Sequence, residues 1–201
     1  VRLGDAPAVL AIGRAATARG LPLEQHAFPT FGIPRYEPLP GSEDKAMVYA
    51  IARQESAFNP RAVSSANARG LMQMLPSTAA RTASRFKVPF SPDRLLSDPS
   101  YNAMLGAAHL GELMEETKGS VVMAFASYNA GGHRVREWVQ AFGDPRKPEV
   151  DVVDWVERIP FYETRHYVQK IMENMQAYRA RFAGNRSALL IGADLERGRR
   201  N

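Results

Sequence analysis

Apolar residues along this chain recur at intervals of three and four, and segments that alternate in twos are nearly absent. That is the helical period, so the expected fold is mainly α. The clearest element is the last. Val168, Ile171, Met172, Met175, Tyr178 and Phe182 form one apolar stripe, and Gly184 ends it. Before it, residues 120–128 and 132–142 read as helices, the second closed by Gly143. Another begins where Asp98 precedes Pro99, a proline tolerated in a first turn, and it stops at Gly119. Ser77 is the expected cap of a helix over 78–87. Ser42 is the expected cap of an earlier one, with Glu43 and Asp44 in its first turn, where the dipole favours acids. A short helix over 6–20 ends at Gly20. Residues 21–41 then hold Pro22, Pro29, Pro34, Pro38 and Pro40 with little periodicity, which reads as an extended connector. The expected organisation is therefore an N-terminal helix plus connector over 1–41, a helical domain over 42–184 and a tail over 185–201.

Composition narrows the class. The chain has 201 residues, 45% apolar and 23% charged, enough for one well-buried globular core. No apolar run reaches the ~20 residues of a membrane helix. The N-terminus lacks a signal-peptide pattern, and a chain that begins at Val1 reads as a mature or excised segment. There is no cysteine, which excludes disulfides and thiolate zinc sites. Lysine and arginine exceed aspartate and glutamate by 26 to 21, a net charge of +5. The positives are scattered, and their densest group, Arg197, Arg199 and Arg200, lies in the expected tail. They read as solubilising surface rather than a nucleic-acid footprint. The four histidines, at 26, 109, 133 and 166, show no metal-ligand spacing, and no phosphate-binding or dinucleotide glycine motif occurs. No metal and no cofactor is implied.

The segment MVYAIARQESAFNP, residues 47–60, is the most informative. At about 100° per residue from Ile51, Met47 lies near about −40° and Phe58 near about −20°. Val48 falls at about +60° and Glu55 at about +40°, so a carboxyl sits inside the apolar sector. Burial disfavours the charged form and raises the pKa, the condition a general acid needs near neutral pH. The bland alternative is a structural Glu55 paired with Arg53 or Arg69, and helical position alone does not decide between them.

Four blocks follow one another in order: ARQES (52–56), GLMQMLPSTA (70–79), ASYNAG (126–131) and IPFYETRHYV (159–168). Together they resemble the catalytic domain of the family 1, soluble-type lytic transglycosylases, over roughly residues 42–182. The resemblance implies a lysozyme-like fold of the goose type and, for Glu55, the role of catalytic acid and base. It implies that Ser56 helps fix the site and that Met72, Gln73 and Leu75 line a glycan cleft. The family commonly has methionine where this chain has Leu75. Tyr128 and Asn129 match an aromatic–amide pair beside the catalytic glutamate, and Glu163 a cleft-lining carboxylate at a helix start. Tyr162 and Tyr167 offer stacking or hydrogen-bonding surface, although Tyr167 reads equally well as core. Met74 reads as core.

The implied activity is non-hydrolytic cleavage of the β-1,4 bond between N-acetylmuramic acid and N-acetylglucosamine, leaving 1,6-anhydromuropeptides. The implied partner is peptidoglycan glycan strands, bound by a monomer in the periplasm or cell envelope, and residues 1–40 resemble the end of a preceding helical domain. Three rivals stand beside it: a lysozyme-like hydrolase using Glu163 as a second carboxylate, a non-catalytic peptidoglycan-binding scaffold, and a basic nucleic-acid-binding helical domain.

Overall fold

The computed structural model describes residues 4–184 and 188–199. Within them lie eleven helices: α1 (Ala6–Thr17), α2 (Glu24–Ala27), α3 (Lys45–Glu55), α4 (Pro76–Arg85), α5 (Arg94–Ser97), α6 (Pro99–Glu116), α7 (Val121–Ala130), α8 (Gly132–Phe142), α9 (Val152–Glu157), α10 (Tyr162–Phe182) and α11 (Ile191–Glu196). The described residues contain no strand, only isolated bridges that pin Arg69 to Val63 and to Met74 in the α3–α4 loop. None of these helices is long and apolar enough to cross a membrane.

The centre of the molecule is α7. Every residue from Val121 to Ser127 is buried, so this helix is covered on all sides rather than along one stripe. α10 lies between α7 and α3, and α6 joins α7 to α4 and α5. The α10 stripe closes this core: Val168, Ile171, Met175 and Tyr178 are buried with Met47, Ile51 and Phe58 from α3 and its exit turn. Each fully buried side chain of this size contributes about 1.5–3 kcal/mol. The proline-rich connector is not free-standing, because Phe28, Ile33, Tyr36 and Leu39 pack on the same core.

Two caps differ from the sequence expectation. Ser42 does not cap α3. Asp44 does, its side chain accepting from Met47 N at 3.0 Å. A carboxylate at that position also meets the helix dipole, which a serine does not. Ser77 does not cap α4 either; Leu75 holds the cap position, Pro76 opens the helix, and Ser77 lies within it. Proline at a first helical position costs no hydrogen bond, so it sets the start. By contrast, Asp98 caps α6 through Tyr101 N at 3.0 Å, and Gly143 closes α8 as the pattern predicts.

The segment expected as a tail carries α11. Its Asp194 is buried, pairs with Arg179 and accepts from Gln176 Nε2 at 2.6 Å, which ties the segment to α10. Arg197 lies 3.9 Å from Glu43, and Arg199 donates to the Val150 carbonyl at 2.8 Å. Arg200 lies outside the described residues.

Candidate active site

Glu55 is the last residue of α3. The chain reverses at once, and both Ala57 (φ 51°) and Phe58 (φ 64°) adopt left-handed backbone. A bulky residue pays strain for that conformation. Burial of the Phe58 ring against Tyr49 and Tyr178 offsets it, and the turn holds the Glu55 carboxyl at the edge of the core. Glu55 is half-buried. Burial raises its pKa to about 7; a hydrogen bond from Tyr167 opposes the rise and the nearby charge of Glu163 adds to it. The end of a helix, where exposed carbonyls concentrate negative charge, disfavours a carboxylate further.

The structural alternative for Glu55 fails on the positions of both arginines. Arg53 donates to the Ala27 carbonyl at 3.0 Å and to Asn174 Oδ1 at 2.8 Å. Arg69 donates to Asn67 Oδ1 and the Pro92 carbonyl, both at 3.1 Å. Neither meets Glu55, and among the described residues no cation pairs with it.

The other expected residues are carried by segments in three directions, and of them Tyr167, Glu163 and Tyr128 interact with the Glu55 carboxyl itself. From α10, the buried Tyr167 hydroxyl donates to Glu55 Oε1 at 2.6 Å, so Tyr167 is both core and site. Burial first, and then the Glu55 charge, push the Tyr167 hydroxyl well above its ordinary pKa, so it acts as a neutral donor. Glu163, on the first turn of α10, is exposed. From the end of α7, the Tyr128 hydroxyl donates to the Met72 carbonyl at 2.8 Å, and the charge of Glu55 adds to burial in raising its pKa. Asn129 Oδ1 accepts from Thr164 Oγ1 at 2.6 Å, which leaves its N–H groups as the available donors. Gly131 (φ 87°) then turns the chain from α7 directly into α8, a backbone conformation that a side chain would strain.

The third direction is the α3–α4 loop. Ser56 Oγ donates to the Leu71 carbonyl at 2.8 Å and ties this loop to the end of α3. Gln73 spends its amide N–H groups on the Ala62 and Gly70 carbonyls, at 3.1 and 3.0 Å, so a ligand would meet its oxygen rather than its donors. Leu75 is exposed at the loop's end. Met72 corrects the sequence expectation: its side chain is wholly buried and packs on Gly106, whose added Cβ would lie 2.5 Å from Met72 Cγ. What Met72 presents to the site is its carbonyl, through Tyr128. Met74 is buried as expected.

Two positioning residues escaped the sequence reading. Buried Asn102 accepts from Met72 N and donates to the Arg69 and Leu95 carbonyls, at 2.8, 2.8 and 3.0 Å, and so moulds the loop. It can do so because Gly70 (φ 75°) has no side chain; a Cβ there would stand 2.4 Å from Asn102 Nδ2. Buried Thr164 fixes Asn129. For Asn102 the available signal was a polar residue inside a largely apolar helical run, which is costly unless hydrogen-bonded; Thr164, between Glu163 and Arg165, gave no such signal.

Residues 40–150 match the model of the transglycosylase SLT domain, which takes in Glu55, the loop and the α7 pair. The chain belongs to the transglycosylase SLT domain family. Residues 158–186, which include α10 with Glu163 and Tyr167, match the soluble lytic transglycosylase helical domain. Among curated relatives, the soluble lytic murein transglycosylase of Salmonella typhimurium is 39% identical over 150 residues, 74% of this chain and 22% of that protein. Among solved structures, the 70 kDa soluble lytic transglycosylase of Escherichia coli superposes with a TM-score of 0.76 at 33% identity, covering 97% of this chain and 31% of that one. The lytic transglycosylase Slt of Pseudomonas aeruginosa, solved as an inactive glutamate-to-glutamine mutant, gives a TM-score of 0.64 at 33% identity over 90% of this chain and 25% of that chain. This SLT-domain chain thus spans about a fifth of the length of the soluble lytic murein transglycosylases it matches.

Proposed function

We propose that this chain is a peptidoglycan lytic transglycosylase acting through Glu55 alone as acid and base. The observation that carries the proposal is a half-buried carboxyl without a cationic partner, its pKa raised to about 7 and its orientation fixed by Tyr167. Glycosidases ordinarily employ two carboxylates. Here the protonated Glu55 gives its proton to the oxygen joining N-acetylmuramic acid to N-acetylglucosamine, and the C1–O bond breaks. The substrate's own N-acetyl group stabilises the cationic C1. The C6 hydroxyl of the same muramic acid then bonds to C1, and its proton returns to Glu55. One C–O bond is broken and one is formed, and no water is consumed.

Tyr167 serves both halves of this cycle, because its donor holds the carboxyl in place and steadies it while anionic. Gln73, Asn129, Ser56, Leu75 and Glu163 bind or orient the strand, and Tyr128 holds the loop to which they belong or which they face. Family relatives named for murein support the substrate, and with it a periplasmic or envelope location. Product mass tests the reaction. Purified sacculi digested with this protein should release muropeptides lighter by one water than lysozyme products, carrying 1,6-anhydro ends. Fragments with ordinary reducing ends would instead assign hydrolysis, with Glu163 as the base.

A further inference from the structure

Away from Glu55, three arginines from three helices come together. Arg14 of α1, Arg53 of α3 and Arg181 of α10 all act by charge on the Tyr178 hydroxyl, opposing the burial that raises its pKa. Among the described residues none of the three pairs with a carboxylate; each donates to uncharged oxygens. Arg53 donates through Nε and Nη1 to the Ala27 carbonyl and Asn174 Oδ1. Arg181 Nε donates to the Phe28 carbonyl at 3.3 Å, and Arg14 Nη2 to the Arg53 carbonyl at 3.4 Å. Glu173, whose charge reaches Arg53, is held by Lys170 at 2.8 Å. Burial first, and then the charge of Arg14, push Arg53 below the ordinary arginine pKa.

Beside them two buried groups lack hydrogen-bond partners, Asn174 Nδ2 and the Tyr178 hydroxyl. Their residues are 1% and 0% exposed. They stand one turn apart on the face of α10 that also carries Arg181. Buried polar atoms are almost always satisfied, so two orphans beside three unneutralised cations point to a partner from outside the chain. We propose that this cluster binds a phosphate group at a site separate from the cleft. The proposal goes beyond the reading of Glu55. Arg53 lies two residues before Glu55, about 200° round α3 and so on its opposite face.

Donor chemistry selects the ligand. Asn174 Oδ1 is occupied by Arg53, so what the cluster still offers is donors: unused guanidinium N–H groups, Asn174 Nδ2 and the Tyr178 O–H. The ligand must therefore accept and carry negative charge. Three cations favour a dianion over a carboxylate, and the oxygens of a phosphate suit guanidinium forks. The Phe28 ring, 4.4 Å from the Arg53 guanidinium carbon, holds that fork in plane. Both orphaned groups are closed to solvent, so phosphate reaches them only as a side chain moves aside. Arg14, exposed and tied by one long bond, is free to do so. The bound anion then joins α1 to α3 and α10.

The test titrates the whole chain with inorganic phosphate at constant ionic strength, read by calorimetry and by melting temperature. One phosphate should bind per chain, and the melting temperature should rise with its concentration. Arg14→Ala and Arg181→Ala should each weaken binding about tenfold, the loss of one charge-assisted pair. Tyr178→Phe should weaken it severalfold, yet without phosphate its stability should hold or rise, because the orphaned hydroxyl is gone. Arg134→Ala removes the same charge elsewhere and should bind as the parent does. Pelleting with phosphatidylcholine vesicles containing phosphatidic acid, lost in Arg14→Ala, would support the site with a lipid headgroup as the source. Phosphate binding without pelleting would support it with free phosphate. Acetate that binds as tightly as phosphate overturns the assignment. So does binding in neither assay, or binding unchanged in Arg14→Ala and Arg181→Ala or in Tyr178→Phe. None of these results bears on Glu55, because activity is not the readout.

Discussion

Glu55→Gln should lower the rate of anhydromuropeptide release by more than the 10²–10⁴-fold typical of one general-acid step, because the same carboxyl is needed for two proton transfers. The amide keeps the volume of the side chain and still accepts from the Tyr167 hydroxyl, so the fold should persist. Stability should in fact rise, by an amount that depends on pH. The pKa of Glu55 is raised from 4.5 to about 7, so the folded chain binds the proton more tightly than the unfolded chain. Its contribution is complete below the unfolded value and is lost as pH climbs through about 7. Glutamine carries no such dependence. The variant should match the parent near pH 4–5 and exceed it by up to about 3 kcal/mol at pH 8–9. A structural glutamate paired with arginine would behave in the opposite way, because removing it would leave a buried cation and cost about 3–5 kcal/mol. Melting curves at two pH values, together with sacculus digestion, separate the two.

Tyr167→Phe should lower the rate about 10–100-fold, the loss expected for one hydrogen bond to a charged group. It should also move the alkaline limb of the activity profile. The Tyr167 hydroxyl favours the charged form of Glu55, so without it the pKa goes up and the limb shifts to higher pH. Phenylalanine fills the same core volume. A Tyr167 that acted only in packing would therefore give near-full activity and an unmoved limb.

The long elements were legible in the sequence for plain reasons. The stripe from Val168 to Phe182 follows one helical face for the length of α10, and Asp98, Pro99 and Gly143 are punctuation whose mechanism is local. Helices α2, α5, α9 and α11 have four to six residues each. Helices that short have no stability of their own and exist because the tertiary structure holds them, so periodicity does not reveal them. The caps at Ser42 and Ser77 went wrong where two capping signals competed within two residues, and the stronger chemistry, an acid at Asp44 and a proline at Pro76, prevailed.

In the site, the Glu55 position on its helix was readable because α3 is regular up to that residue. Met72 was not readable in the same way. It lies in a loop shaped by Gly70 and by Gln73 (φ 46°), so neither helical nor strand period says where its side chain goes. The contact between Glu55 and Tyr167 joins residues 112 apart, and only the packing of α3 on α10 brings them together. The same packing rules out Arg53 as a partner, since α10 supplies Asn174 to it instead.

The most direct measurement is the rate of anhydromuropeptide release as a function of pH across the range in which the protein stays folded. One carboxyl that starts protonated and regains its proton within the cycle predicts a single descending limb, with its midpoint near pH 7 and a tenfold fall per unit beyond it. A bell-shaped profile, with a second limb on the acid side from a base that must be ionised, would contradict a mechanism carried by Glu55 alone.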